Sequence, residues 1–294
     1  MSHNRQGASD VADDGATSIS LAPDRTLTFQ FMVDYDAPVR NADVPWNTFS
    51  SDDYWRRNYH ELQAEDQEII RRVSSFFIHA FAGRPRVRQG IDVGSGTNLY
   101  PALLMLPWAE KILLSDFTAS NVRWLRRNLE DDGAAWTWQP FWHELHEAVG
   151  YNQIGEPRKQ LREACVSESG FAGIEQRSVF DLPAAQWDLG TMFFVAESLT
   201  EDPSEFRMAV ARFVGALKPG APFAATFMAG SAGYPVAGTH FPALPITSDD
   251  VREHFTALDA RELSVELLET EHRVRAGYTG MIVATGFARG RRGQ

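Results

Sequence analysis

The chain has 294 residues, of which 44% are hydrophobic, and a formal net charge of −11. That length suits one large α/β domain with additions, and the apolar share is enough for a sizeable core. The acidic balance argues against a nucleic-acid partner, which needs a basic footprint, and the single cysteine, Cys165, excludes an intrachain disulfide and fits a reducing compartment.

Met1 to about Arg25 is polar and rich in Ser, Ala, Asp and Gly. It reads as a disordered tail with no apolar stretch of a secretory leader. No run approaches the length of a membrane span, so no membrane partner and a cytoplasmic location are expected. Residues 26–82 are expected to form an N-terminal cap of helices. Ser50-Ser51-Asp52-Asp53 is a helix start, with acids near the positive end of the dipole. Tyr54–His60 follows, and then Asp66–Phe81, where Ile69, Ile70, Val73, Phe76, Phe77 and Ala80 recur at helical spacing.

Residues 83–294 are expected to form the core. Val87–Val93 and Lys111–Asp116 read as buried strands, and Tyr100–Leu106 and Asn121–Leu129 as the crossover helices after them. About 131–175 breaks this alternation. It holds Trp136, Trp138, Trp142 and Pro140 and is too long for a plain connection, so an insertion is expected there. Ile174–Val179 and Leu189–Val195 are third and fourth strands. Pro203–Leu217 is a helix with Pro at its start and Pro219-Gly220 past its end. Pro222–Phe227 is a fifth strand and Gly230–Pro245 a loop. Thr247-Ser248-Asp249-Asp250 caps a helix over Val251–Leu258. Leu263–Leu268 and Met281–Phe287 close the chain as an antiparallel pair. Strand and helix in alternation predict an α/β fold with a doubly wound, mostly parallel sheet covered on both faces.

The run Asp92-Val93-Gly94-Ser95-Gly96 follows the first strand, and Asp116 ends the second. Gly94 and Gly96 let the backbone turn tightly and approach a ligand. An acid about 20 residues past such glycines grips ribose hydroxyls. A dinucleotide site wants a third glycine where Leu99 stands. Asp92 could instead accept from a cationic amino-acid portion or hold the loop in shape. This pattern suits S-adenosylmethionine (S-adenosyl-L-methionine), with S-adenosyl-L-homocysteine as its product. His143-Glu144-Leu145-His146 is not His-Glu-x-x-His and has no third ligand at zinc spacing, so no metal is expected.

From about Trp46 to the last strand the chain resembles the small-molecule amine methyltransferases, a family that includes nicotinamide, phenylethanolamine and thioether (indolethylamine) N-methyltransferases. The resemblance rests on Asp53-Tyr54-Trp55-Arg56-Arg57-Asn58-Tyr59, the loop from Asp92 to Tyr100 and Ser115-Asp116-Phe117-Thr118-Ala119-Ser120-Asn121. Further anchors are Glu197 ahead of Glu201-Asp202-Pro203, Leu217-Lys218-Pro219-Gly220, Tyr234 and Leu244-Pro245. It implies a Rossmann-like seven-stranded sheet with an antiparallel last strand and an N-terminal cap. On the cofactor side it implies Tyr54, Tyr59 and Tyr100 at the methionine portion, with Gly94, Ser95 and Gly96 at close approach. Asp116 would bind the ribose, Phe117 and Asn121 would support it, and Ser178 and Val179 would lie at the adenine. Phe193 and Phe194 would line the methyl-transfer cavity, with Phe227, Ser231 and Tyr234 at the acceptor and Glu197 as proton acceptor or substrate orienter. Ser178 stands where members usually carry an acid, and Phe227 where the nicotinamide enzymes carry one. Phe193, Phe194 and Phe227 together point to an apolar, aromatic acceptor.

The expected activity is transfer of a methyl group to a small molecule at an amine nitrogen, by direct in-line displacement, in a monomer or weak homo-oligomer. The alternatives are methylation of a small aromatic metabolite at oxygen or carbon, and a non-catalytic protein that binds S-adenosylmethionine. A carbon or hydroxyl acceptor needs a base, for which Glu197, His240, His143 and His146 are the candidates.

Overall fold

The structure, a computed structural model, describes residues 38–130, 136–165, 173–270 and 277–289. The tail expected over Met1–Arg25, the start of the expected cap and parts of the expected insertion lie outside the described residues.

Two helices precede the sheet. Ser50 caps α1 (Ser51–Asn58) by accepting the N–H of Asp53, and α2 (Ala64–Ala80) buries Ile69, Ile70, Val73 and Phe77 along one face, as its spacing predicts. The strands β1 (Val87–Val93), β2 (Ala109–Asp116), β3 (Ile174–Gln176), β4 (Leu189–Phe193) and β5 (Pro222–Ala229) are joined by β8 (Arg261–Glu269) and β9 (Gly280–Phe287). They form one seven-stranded sheet in the order β3-β2-β1-β4-β5-β9-β8. Only the pairings of β9, with β5 and with β8, are antiparallel among them. From β1 the chain winds outward through β2 to β3, then returns to β4 on the other side of β1. The order therefore reverses between β1 and β4, and ligands of open α/β sheets bind in the crevice at such a point.

Helices α3 (Tyr100–Met105) and α4 (Ala119–Glu130) follow β1 and β2. The expected insertion contains α5 (Gln139–His146) and α6 (Pro157–Cys165). Phe141, Trp142 and Leu145 of α5 and Leu161 and Cys165 of α6 join one apolar layer with α2, α3 and α4. Helices α7 (Pro203–Ala216) and α8 (Ser248–Ala257) cover the opposite layer. The cap of α8 is a reciprocal box between Thr247 and Asp250. The stretch expected as a plain loop contains a hairpin, β6 (Tyr234–Val236) and β7 (Thr239–Phe241), whose short strands around Ala237-Gly238 give little periodicity to detect.

Strand alternation settles one assignment. Phe223, Ala225, Phe227 and Ala229 of β5 face the layer of α7 and α8, and Ala224 and Met228 face the other. Phe227 packs on Phe206 and Phe255 with ring centroids at 5.9 and 6.3 Å. The expectation that it contacts an acceptor is corrected: it is a core residue. Phe227→Ala is expected to cost about 3–5 kcal/mol of unfolding free energy, measured by denaturant titration, because it opens a cavity between two helices and the sheet.

Candidate functional site

At the end of β1 the backbone enters the left-handed region at Gly94 and Gly96, with φ of 66° and 57°. A Cβ on Gly94 would also sit 2.5 Å from Val195 Cγ2, so glycine is required there for space as well as conformation. Backbone bonds fold the bend onto the neighbouring strand, with the Ser95 N–H donating to Ser115 O at 2.9 Å. The hydroxyls of Ser95 and Ser115 both donate to the Asp92 carbonyl.

Asp116 closes β2 directly opposite. Its Oδ2 accepts the Gly96 N–H at 2.9 Å, and its Oδ1 accepts the Thr118 N–H at 2.7 Å and Asn121 Nδ2 at 3.1 Å. Ser51 of α1 in turn donates to Asn121 Oδ1 at 2.7 Å. Burial pushes the Asp116 carboxyl above the usual carboxylate range, and the donors from Thr118, Asn121 and Gly96 oppose that shift. The side chain is thus held in one orientation.

Around this pair lies a cavity whose empty space, open mouth included, is about 790 Å³. Its floor is Gly94–Asn98, with Asp116, Phe117, Thr118 and Asn121 on one side. Ser178, Val179 and Phe180 continue that side, where Ser178 Oγ accepts the Phe180 N–H at 3.2 Å and caps a 3-10 turn over Val179–Asp181. The other side and roof are aromatic: Trp46, Phe49, Tyr54, Tyr59, Phe193, Phe194 and Tyr234. Tyr54 stands edge-on to both Tyr59 and Tyr234, at 6.1 and 6.0 Å. Phe241 of the hairpin packs on Trp46, Phe49 and Tyr234 and braces the roof from behind.

Adjacent residues of a strand face opposite sides, yet Phe193 and Phe194 both reach this cavity. The reason is a φ of 59° at Phe194, an uncommon conformation for an aromatic residue. It turns the chain as it leaves β4 and leaves the two rings 6.3 Å apart, edge to face. Strain of this kind concentrates where a site needs it.

Tyr54, Tyr59, Gly94, Ser95, Gly96, Asp116, Phe117, Asn121, Ser178, Val179, Phe193, Phe194 and Tyr234 therefore come together on one cavity wall. Four other residues expected there, besides Phe227, stand behind it. Asp92 is buried and accepts the Thr191 hydroxyl at 2.7 Å, because its strand position faces into the sheet. Tyr100 is fully buried and gives its hydroxyl to Asp66 Oδ1 at 3.2 Å. Glu197 is fully buried and accepts the Met228 N–H at 2.9 Å and the Ser198 hydroxyl at 3.2 Å, so that Ser198 and not Glu197 lines the cavity. Ser231 is buried beyond the end of β5 and lies off the wall.

The wall also contains residues to which the sequence reading assigned no role, among them Asn41, Trp46, Phe49, Thr97, Asn98, Arg177, Phe180 and Ser198. Thr97 and Asn98 follow the bend directly, so their position in the motif was the available signal. Thr97 Oγ1 and Asn98 Nδ2 are buried and have no hydrogen-bond partner among the described residues. Buried polar atoms of that kind call for an explanation, and a polar ligand on the cavity floor provides one.

Residues 39–284 match the family described as NNMT/PNMT/TEMT. Among solved structures the chain is similar to the CurJ carbon methyltransferase, at a TM-score of 0.50 and 10% identity over 84% of this chain and 62% of that one. It is also similar to the N-methyltransferase NodS from Bradyrhizobium japonicum WM9, solved with S-adenosyl-L-homocysteine, at a TM-score of 0.46 and 12% identity over 81% of this chain and 92% of that one. The magnesium protoporphyrin IX methyltransferase ChlM from Synechocystis PCC 6803, solved with bound SAM, gives 0.46 and 13% over 82% and 92%.

The burial of Asp92 has a pH signature. Desolvation raises its carboxyl from 3.8 to about 7, against bonds from Thr191 and Ser95. Between roughly pH 4 and 7 the folded chain keeps a proton that the unfolded chain has released, so this group's contribution to stability falls as pH rises through that window and levels off above it. Asp66, raised to about 7 by its own burial, adds a term of the same sign. Asp92→Asn is expected to lessen the loss of stability between pH 5 and pH 8, by an amount on the order of a few kcal/mol, read as the difference between denaturant midpoints of variant and parent.

Proposed function

The chain belongs to the NNMT/PNMT/TEMT family and is an S-adenosylmethionine-dependent methyltransferase, and from that premise we propose that this cavity binds the cofactor and methylates a small molecule at an amine nitrogen. The observation that carries the reading is Asp116, fixed on the cavity wall by the Gly96 N–H across the glycine bend. A carboxylate so oriented would accept both hydroxyls of a ribose. The residues fit the rest of the cofactor as well. Thr97 Oγ1 and Asn98 Nδ2 would bind its amino-acid end, and Gly96 leaves open space, since a Cβ there would meet nothing nearer than 3.7 Å. Val179 and Phe180 would pack on the base, with Ser178 in the place of the more usual acid.

When bound, S-adenosylmethionine supplies a methyl group already activated on a sulfonium. The task left to the protein is to hold the acceptor in line and keep water out. The ring faces of Tyr54, Tyr59, Phe193 and Phe194 would exclude water and tolerate positive charge. Nitrogen is favoured over oxygen or carbon by the composition of the wall. Among the described residues lining the cavity, Asp116 is the sole carboxylate and no histidine is present. A hydroxyl or carbon acceptor needs a base at the reacting atom. A neutral amine reacts through its own lone pair, and the cation formed would rest against aromatic rings. The aromatic roof suits an acceptor with a flat apolar body.

S-adenosyl-L-homocysteine titrated into the protein by calorimetry is expected to bind, and the absence of heat at millimolar ligand would defeat the reading. Asp116→Ala is expected to lose about 1.5–3 kcal/mol of that binding, or roughly ten- to a hundredfold in Kd. With a panel of aromatic amines, phenols and activated carbon acids, mass spectrometry and NMR of the products are expected to place the methyl on nitrogen. Preferential transfer to phenols or carbon would refute that part.

A further inference from the structure

Asp66 is a buried carboxylate to which the proposed reaction gives no task. It lies in the first turn of α2, is almost completely buried, and accepts the Tyr100 hydroxyl at 3.2 Å. A backbone hydrogen bond from Gln63 also reaches it, as in half of a capping box. Capping alone does not account for its second partner, because Tyr100 belongs to a different helix and comes directly after the glycine bend. An isolated acid is costly to bury, and burial pushes this one up to about 7. Solvent was available to the first turn of a surface helix, so the inward orientation is a constraint of the packing.

Tyr100 sits behind the cavity and touches three residues of its wall. Its backbone N–H donates to Asn98 Oδ1 at 3.1 Å, which fixes that amide on the cavity lining. Its ring stands edge-on to Tyr59 at 6.3 Å and to Phe193 at 5.5 Å. On its remaining side it stacks on Phe141 of α5 at 5.6 Å, with 12° between the planes. The hydroxyl bond to Asp66 adds a directional restraint that ring packing alone does not supply. We propose that Asp66 is a positioning residue for cofactor binding, acting through Tyr100 to set Asn98, Tyr59 and Phe193 on the cavity wall. This inference rests on the reading of the cavity as the S-adenosylmethionine site. It assigns Tyr100 to the support behind the wall and links the N-terminal helices to the cofactor loop through one side-chain bond.

The test uses calorimetric titration of S-adenosyl-L-homocysteine into the full chain and four variants, with melting temperatures alongside. Tyr100→Phe removes the hydroxyl and leaves the Gln63–Asp66 cap in place. It is expected to raise Kd about three- to tenfold, the range of one hydrogen bond, with acceptor KM unchanged. Asp66→Asn keeps one acceptor oxygen, available to the Tyr100 hydroxyl, and is expected to stay within about twofold of the parent. Tyr100→Phe combined with Asp66→Ala is expected to bind no more weakly than Asp66→Ala alone, because both cut the same link. If Tyr100→Phe binds like the parent, or if the two changes add in full, the inference is overturned, whatever happens to the melting temperature. Failure of the unaltered chain to bind would instead overturn the reading of the cavity.

Discussion

A single carboxylate, Asp116, takes donors from three segments that the fold has to bring together. Gly96 belongs to the bend after β1, Thr118 to the turn after β2, and Asn121 to the first turns of α4. The parallel register that sets Val93 beside Ser115 puts the bend next to the end of β2, and the reversal of strand order between β1 and β4 leaves the space in front of both open. The bond to Gly96 adds to the anchor that Ser95 already makes on Ser115, and it ties the second glycine of the bend to the carboxylate itself.

Asp66, Asp92, Asp116, Glu197 and Asp202 are buried, and among the described residues no lysine or arginine is. Three of these acids, Asp66, Asp92 and Asp116, surround the glycine bend or the helix that follows it, and each is raised by loss of solvent. Asp92 is raised further by the charge on Asp116.

The parts of the site legible from the sequence were those in contiguous motifs. Gly94, Gly96 and Asp116 sit at strand ends and Asn121 in the first turn of the helix after β2, and all reach the cavity. Residues whose role depends on which way a strand faces were harder. Phe227 could have been assigned by counting in twos from Phe223, but a resemblance at one position outweighed the count. Glu197 occupies the expected loop, yet it turns inward to the Met228 N–H, a choice made by the backbone of β5 and invisible in a linear pattern. Asn41, Trp46 and Phe49 lie in short 3-10 turns, over Asn41–Asp43 and Trp46–Thr48, or just beyond them. No period marks such turns, so the roof they form could not be read. Trp138 was visible only as an aromatic residue in a stretch that breaks the alternation, and Phe141 was not singled out. The structure makes them the packing behind Tyr100 and Tyr59.

The bond between Ser51 and Asn121 has a direction. The Ser51 hydroxyl donates to Asn121 Oδ1, and the Asn121 amide donates onward to Asp116. Dipoles aligned head to tail polarise one another, and each link strengthens as the next acquires charge. An occupant that draws electron density from the Asp116 carboxylate therefore weakens the pull on Asn121 and, through it, on the first turn of α1. Helix α1 is in this sense an electrical extension of the Asp116 carboxyl, and deleting it would alter the acidity of a group distant in the sequence along a path of only two hydrogen bonds.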